Sequence, residues 1–304
     1  MQLRTRTDLV ALAGRYANEY RVPTSTVIKE ILHYELLFCL VQSGAAAQLA
    51  FQGGTALRLC YQGTRYSEDL DFAGGVDFNP EAMAPFAELL QKQIAEAYGL
   101  KVEIKVPKAK DPTGGVEVAR WSAKVHVPQA DPSVQQNQVI NIEVASVPAH
   151  DVDLVAVTAN YPHLPAPFRQ ILLAAESPKE ILADKLVALG ARPFLKARDI
   201  WDIKLLTDRQ ILPDMGLIAK KLVDYGWTEQ AFKEKLREKL AMLEEPSTLR
   251  AFHQEMSRFV DGNVATQLGS PLLANRFLNR AKEQGLAVLN AKLSLDSDCD
   301  FSPM

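Results

Sequence analysis

Apolar residues recur at helical spacing through residues 8–43, which predicts helix. Pro23, within Val22-Pro23-Thr24, divides the run in two. In the second half Val27, Ile28, Ile31, Leu32, Leu36 and Cys39-Leu40 form one stripe. The pattern then shortens. Residues 48–52 predict a short strand, Gly53-Gly54 breaks it, and Thr55 to Tyr61 reads as one or two helical turns. Leu70-Asp71-Phe72 sits in a second short strand closed by Gly74-Gly75. A helix is predicted over 80–98, from Pro80 near its start to Gly99 past its end. Three strands follow, over 101–106, 116–127 and 138–146, with hairpin loops at 107–115 and 128–137.

Residues 148–167, with Pro148, Pro162, Pro165 and Pro167, read as an irregular connector. Beyond it the pattern is helical. Ser177-Pro178-Lys179-Glu180 has capping-box spacing with proline at the first helical position, and Gly190 is the expected stop. Further helices are predicted from near Arg198, Pro213, Thr228, Ser247 and Pro271, and residues 296–304 read as a frayed tail. The outline is an α/β front half and an all-α back half.

Composition narrows this little. The 304 residues suffice for one large or two ordinary domains, and 47% apolar with 23% charged residues is ordinary for a globular chain. Residues 1–184 hold 16 Lys+Arg against 21 Asp+Glu, whereas residues 185–258 hold 14 against 11, so only the second region leans towards a polyanion. Cys39, Cys60 and Cys299 form neither a disulfide framework nor a CxxC site. No signal peptide or membrane-spanning run is read, so no membrane partner and a cytoplasmic location are expected. The five histidines lack metal-ligand spacing, and the tryptophans are expected in the core.

Candidate chemistry begins at Gly53-Gly54-Thr55. A strand entering a glycine turn and then a helix can present N–H groups and a helix dipole to phosphate, although a Gly-Gly turn is more often only a turn. Asp69-Leu70-Asp71 follows 14 residues after Thr55. On a strand, positions i and i+2 share a face at roughly 6.6 Å spacing. Two neighbouring carboxylates repel, and a divalent cation offsets that repulsion. Mg²⁺ is commonly held by one or two carboxylates together with substrate phosphates. A solvated acidic turn is the competing reading, weakened by apolar Leu70 and Phe72. Glu143, on the face of its strand shared with Asn141, is a candidate third metal ligand or an ordinary polar-face residue.

In the back half, Lys185 lies between Ile181 and Leu189 on one helix face. It would either snorkel from that stripe or meet a phosphate. Asp199 and Asp202 sit near a predicted helix start, where the dipole alone accommodates acids. Functionally, one of them would orient Lys185 or Arg198 or sit at the nucleotide.

At these residues the chain resembles the AbiEii/AbiGii nucleotidyltransferase toxins, which are similar to the wider polymerase-beta-like superfamily. The matching pieces are Phe51-Gln52-Gly53-Gly54-Thr55-Ala56-Leu57, Arg65-Tyr66-Ser67-Glu68-Asp69-Leu70-Asp71-Phe72, Glu180-Ile181-Leu182-Ala183-Asp184-Lys185-Leu186 and Arg198-Asp199-Ile200-Trp201-Asp202. The resemblance implies an α+β fold, a nucleotidyltransferase-like mixed sheet flanked by helices and followed by an all-α C-terminal helical region. It implies an α/β domain over 1–170 and a helical domain over 171–295 that contributes to the active-site cleft. It implies transfer of a nucleoside monophosphate from an NTP to an acceptor, with the tRNA 3′ end as the RNA acceptor, and neutralisation by a cognate antitoxin. Gly53, Gly54 and Thr55 would hold the triphosphate, with Ser67 and Arg198 also at the nucleotide. Asp69 and Asp71 would hold Mg²⁺, with Mn²⁺ as the alternative ion. Lys185 would contact phosphate, and Asp199 or Asp202 would be the remaining essential acid. The superfamily's small pair is Gly-Ser, and Gly-Gly-Thr stands here. Two other readings use the same residues: an NTP-dependent protein kinase, acting on Ser67 itself in one version, and a non-catalytic nucleotide-binding module.

Overall fold

The computed structural model describes residues 6–107, 116–128 and 135–293. The two expected hairpin loops fall mostly, and the 296–304 tail wholly, outside them. The N-terminal pattern forms α1 (Arg6–Tyr20) and α2 (Thr24–Gln42), separated at Pro23. β1 (Ala50–Gln52) runs directly into α3 (Gly53–Cys60), and β2 (Leu70–Ala73) follows. α4 (Ala84–Tyr98) ends at Gly99, whose φ of +62° is the left-handed cap that glycine adopts without strain. Next come β3 (Val102–Lys105), β4 (Val118–Pro128) and β5 (Gln135–Ala145).

Two strands stand where none was predicted, β6 (Val152–Ala156) and β7 (Leu172–Glu176). The stretch 148–167 is therefore not wholly irregular. β6 is the sheet's edge strand, and Val152 and Leu154 are exposed there, so it lacks the buried alternation that marks a strand. The seven strands form one mixed sheet in the order β3-β4-β5-β2-β1-β7-β6. β2 pairs antiparallel with β1 and parallel with β5, while β1 pairs parallel with β7. Phe51, Phe72, Ile140, Ile142 and Val144 are buried along the sheet, and the Phe51 and Phe72 rings stack at 5.0 Å. α2 lies against β5, with α1 and α4 packed on α2.

The remaining helices are α5 (Pro178–Ala191), α6 (Ala197–Asp208), α7 (Met215–Asp224), α8 (Glu229–Met242), α9 (Pro246–Met256), α10 (Gly262–Leu268) and α11 (Pro271–Asn290). The Ser177 N–H donates to the Asp151 carbonyl at 2.7 Å, its hydroxyl donates to Asp151 Oδ2 at 2.6 Å, and Glu180 accepts from Lys221. α5 ends one residue after Gly190, close to the expected stop, and a Cβ on Gly190 would meet the Phe232 ring at 2.6 Å, so the glycine also serves close helix packing. α10 was also not predicted. Asp214 and Thr228 cap α7 and α8 as their side chains allow.

The chain forms two compact units. One comprises the residues up to Ser177 together with Met256–Gln267, and the other comprises Pro178–Glu255 together with the residues from Leu268 on. The expected boundary at 170/171 would have placed β7 with the helices. Among the described residues no helix is long and apolar enough to cross a membrane.

Candidate active site

β1 delivers the chain to Gly53, whose φ is +76°. Antiparallel register places Asp71 opposite Gln52, and a Cβ on Gly53 would lie 2.9 Å from Asp71 Oδ2. Glycine is therefore required there for backbone conformation and for room at the carboxylate. Gly54 answers to a different neighbour. A Cβ there would lie 2.2 Å from Nη2 of Arg65, a buried cation whose Nη1 donates to the Tyr66 carbonyl at 3.0 Å. The second glycine thus accommodates a guanidinium. Buried Thr55 donates its hydroxyl to the Asp69 carbonyl, tying the start of α3 to the first aspartate.

The two aspartates are held by neighbouring strands. Asn141 Nδ2 donates to Asp69 Oδ1 at 3.0 Å. Asp71 stands opposite Glu143 in the parallel β2–β5 register, and Glu143 stands opposite Arg120 in the antiparallel β4–β5 register. One row thus crosses the sheet through Gln52, Asp71, Glu143 and Arg120. Glu143 Oε1 is 2.7 Å from Arg120 Nη2, so the third acid is already paired with a cation. Directly opposed like charges destabilise a sheet, and Asp69, Asp71 and Glu143 outnumber Arg120 three to one. Among the described residues no three His, Cys, Asp or Glu side chains converge to hold one ion. The donor set suits Mg²⁺ bound by one or two carboxylates and completed by phosphate oxygens. Ser67, two residues before Asp69, lines a separate cavity beside Lys29. Buried His33 holds the Glu68 carbonyl at 3.1 Å, and burial lowers its pKa to about 4, so the imidazole is neutral at pH 7.

In the helical unit, Lys185 is 9% exposed, and its Nζ lies 3.1 Å from Asp199 Oδ1 and 3.4 Å from Asp202 Oδ2. It neither snorkels alone nor awaits phosphate with an uncompensated charge. Arg192 also pairs with Asp199, and Arg198 Nε lies 3.5 Å from Glu255 Oε1. Lys196 is the N-cap residue of α6, and burial, followed by the Arg192 charge, pulls its ammonium below the ordinary value.

Sequence reasoning passed over Asn141, Arg65, Arg120, Arg192 and Lys196. Asn141 left a signal, since it lies two residues before Glu143 on the same strand face. Arg65 left none, because its contact with Gly54 depends on how the intervening turn folds.

The family described as nucleotidyl transferase AbiEii toxin, type IV TA system, matches residues 35–269. No curated protein matches. Two solved structures are similar at low identity. A candidate nucleotidyltransferase from H. pylori is 18% identical with a TM-score of 0.47, covering 86% of this chain and 96% of its own. JHP933 from Helicobacter pylori is 16% identical with a TM-score of 0.47, covering 88% of this chain and 93% of its own. The family match takes in the glycine turn, both aspartates, Glu143, Lys185 and the Asp199–Asp202 segment, and the chain belongs to the AbiEii nucleotidyltransferase toxin family of type IV toxin–antitoxin systems.

Proposed function

We propose that this nucleotidyltransferase transfers a nucleoside monophosphate from an NTP to an RNA 3′ hydroxyl, with the tRNA 3′ end as acceptor, in a Mg²⁺-dependent reaction. The observation that carries this reading is the placement of Asp71 between the Gly53 turn and Glu143, with Asp69 fixed by Asn141. Asp69 and Asp71 would hold the ion, Mn²⁺ being the substitute, and Glu143 would join only by giving up part of its bond to Arg120. A divalent cation there supplies charge neutralisation at the α-phosphate and favours the ionised acceptor hydroxyl. In the reaction the acceptor oxygen bonds to the α-phosphorus, the bond to the β-phosphate bridging oxygen breaks, pyrophosphate leaves, and the hydroxyl proton is released.

The chain's own contribution is positional. Gly53 keeps the turn clear of the Asp71 carboxylate, and Thr55 fixes the Asp69 backbone. In the helical unit, Lys185 orders Asp199 and Asp202, while Arg192, Lys196 and Arg198 supply positive charge suited to phosphate. A cognate antitoxin is the expected partner of a type IV toxin, and the cytoplasm, where tRNA is found, is the proposed setting.

The test is incubation of the protein with each α-labelled NTP and total RNA, with and without Mg²⁺. Label should enter a small RNA only with Mg²⁺ present. Label entering protein solely from a γ-labelled NTP would replace nucleotidyl transfer with phosphorylation and overturn this reading.

A further inference from the structure

A cavity of about 200 Å³ opens beside Ser67, close in the chain to Asp69. Its floor includes the first turn of α2. The residue before that helix is Pro23, which offers no side-chain cap, while the Ser25 and Thr26 hydroxyls line the space. The uncapped N–H groups and the dipole of a 19-residue helix favour an anion. Lys29, one turn further on, also lines the cavity, and Arg258 stands across it. Glu68 is the only acid in the wall, and its Oε1 is 3.9 Å from Lys29 Nζ, so two cations face one carboxylate.

The rest of the wall points to more than inorganic phosphate. Gln138 is 4% exposed and falls on the Ile140–Ile142 face of β5. It lines the cavity, and a primary amide can both donate to and accept from a base edge. Tyr66 and Phe259 line the same space, and the Tyr66 N–H donates to the Phe259 carbonyl at 2.6 Å, which fixes the two segments together. Cations for a phosphate, an amide for a base edge and aromatic surface for a base face are the groups that bind an unpaired nucleotide.

We infer that this cavity seats one nucleotide of the acceptor strand, with its phosphate towards Lys29, Arg258 and the start of α2 and its base edge towards Gln138. The inference deepens the proposed RNA-directed transfer and rests on it. At about 200 Å³ the cavity has no room for a base pair.

The experiment measures binding of a fluorescein-labelled single-stranded RNA 12-mer and, separately, of a non-hydrolysable NTP analogue with Mg²⁺. The proteins compared are the full chain, the double variant Lys29→Ala/Arg258→Ala and the single variant Gln138→Leu. The double variant should bind RNA at least about tenfold more weakly, and its log–log salt slope should flatten by about 1.4, for two lost phosphate contacts at about 0.7 each. Gln138→Leu should weaken RNA binding with the slope unchanged. Both should bind the NTP analogue as the parent does and melt at or above its temperature. RNA binding unaltered in both variants overturns the inference. Loss of NTP-analogue binding with RNA binding intact also overturns it, because the cavity would then serve the nucleotide donor. Failure of the transfer reaction itself is read separately, as absence of labelled RNA with the unaltered chain.

Discussion

Single side chains decide whether the acidic row works. Asp69→Asn and Asp71→Asn should each lower nucleotidyl transfer by about 100-fold or more, as removal of one charge-stabilising group does elsewhere. Folding should survive, because each change relieves repulsion among the acids. Transfer at the parental rate by either variant would refute their assignment. Gly53→Ala is more disruptive, since it forces an L side chain to φ +76° and drives a Cβ to 2.9 Å from Asp71 Oδ2. A loss of about 1–3 kcal/mol in a urea titration is expected from the backbone alone. Asn141→Ala leaves both acids in place but frees Asp69 to rotate. It should cost about 10–100-fold in transfer, the usual range for a residue that orients a metal ligand. Raising the Mg²⁺ concentration should recover part of that loss, a rescue that Asp69→Asn should not show.

At the scale of elements, α5 is fastened by two buried lysines. Lys185 on α5 reaches Asp199 and Asp202 of α6, and Lys221 on α7 reaches Glu180 and Asp184 of α5 at 2.7 and 3.2 Å. Lys221 and Glu180 are both 0% exposed. Lys221→Met should therefore cost about 3–5 kcal/mol, because it strands buried carboxylates, and denaturant unfolding would show this. In unit one the α2–α4 contact holds Glu35, bonded to the Tyr98 hydroxyl, while among the described residues its Oε2 has no hydrogen-bond partner. Burial raises its pKa to about 7. A raised folded pKa means that the stability is present below the unfolded value of 4.5 and is lost as pH rises through 7. The difference in unfolding free energy between Glu35→Gln and the parent should thus grow in favour of the variant from pH 4.5 to 8, by on the order of 3 kcal/mol. A pH-independent difference would contradict it.

These elements show what was legible in the sequence. Periodicity placed α1, α2, β1, β2 and α4, since each buries one regular face. β6 was missed because a sheet edge imposes little alternation, and β7 because the proline-rich stretch before it reads as a connector. The Gly53 turn and Asp69-x-Asp71 were legible because their spacing is local. The pairing of Lys185 with Asp199 and Asp202 was one of the expectations for those acids, but spacing alone did not select it, because the partners lie 14 and 17 residues on, in another helix. The cavity beside Ser67 draws on segments as distant as Lys29 and Arg258, which no local pattern connects.

At the scale of the whole chain, the sheet unit is not contiguous. The segment Met256–Gln267 returns to it after the helices have begun. There the Phe259 carbonyl accepts from the Tyr66 N–H, Asn263 accepts from Arg21 at 3.2 Å, and Gly262 packs against Arg21. A Cβ on Gly262 would lie 2.5 Å from the Arg21 Cβ and 3.0 Å from its carbonyl oxygen, and that backbone cannot yield as a flexible side chain would. Gly262→Ala should lift the returning segment while leaving every residue of the acidic row unchanged. The expected cost is about 1–3 kcal/mol. The informative measurement is hydrogen exchange at the Tyr66 amide, which should quicken as its bond to Phe259 is weakened, together with a fall in nucleotidyl transfer as the turn leading to Asp69 loosens. Faster exchange without loss of transfer would make the returning segment a structural fastening only. Unchanged exchange would show that the Gly262 contact does not govern the Tyr66 bond at all.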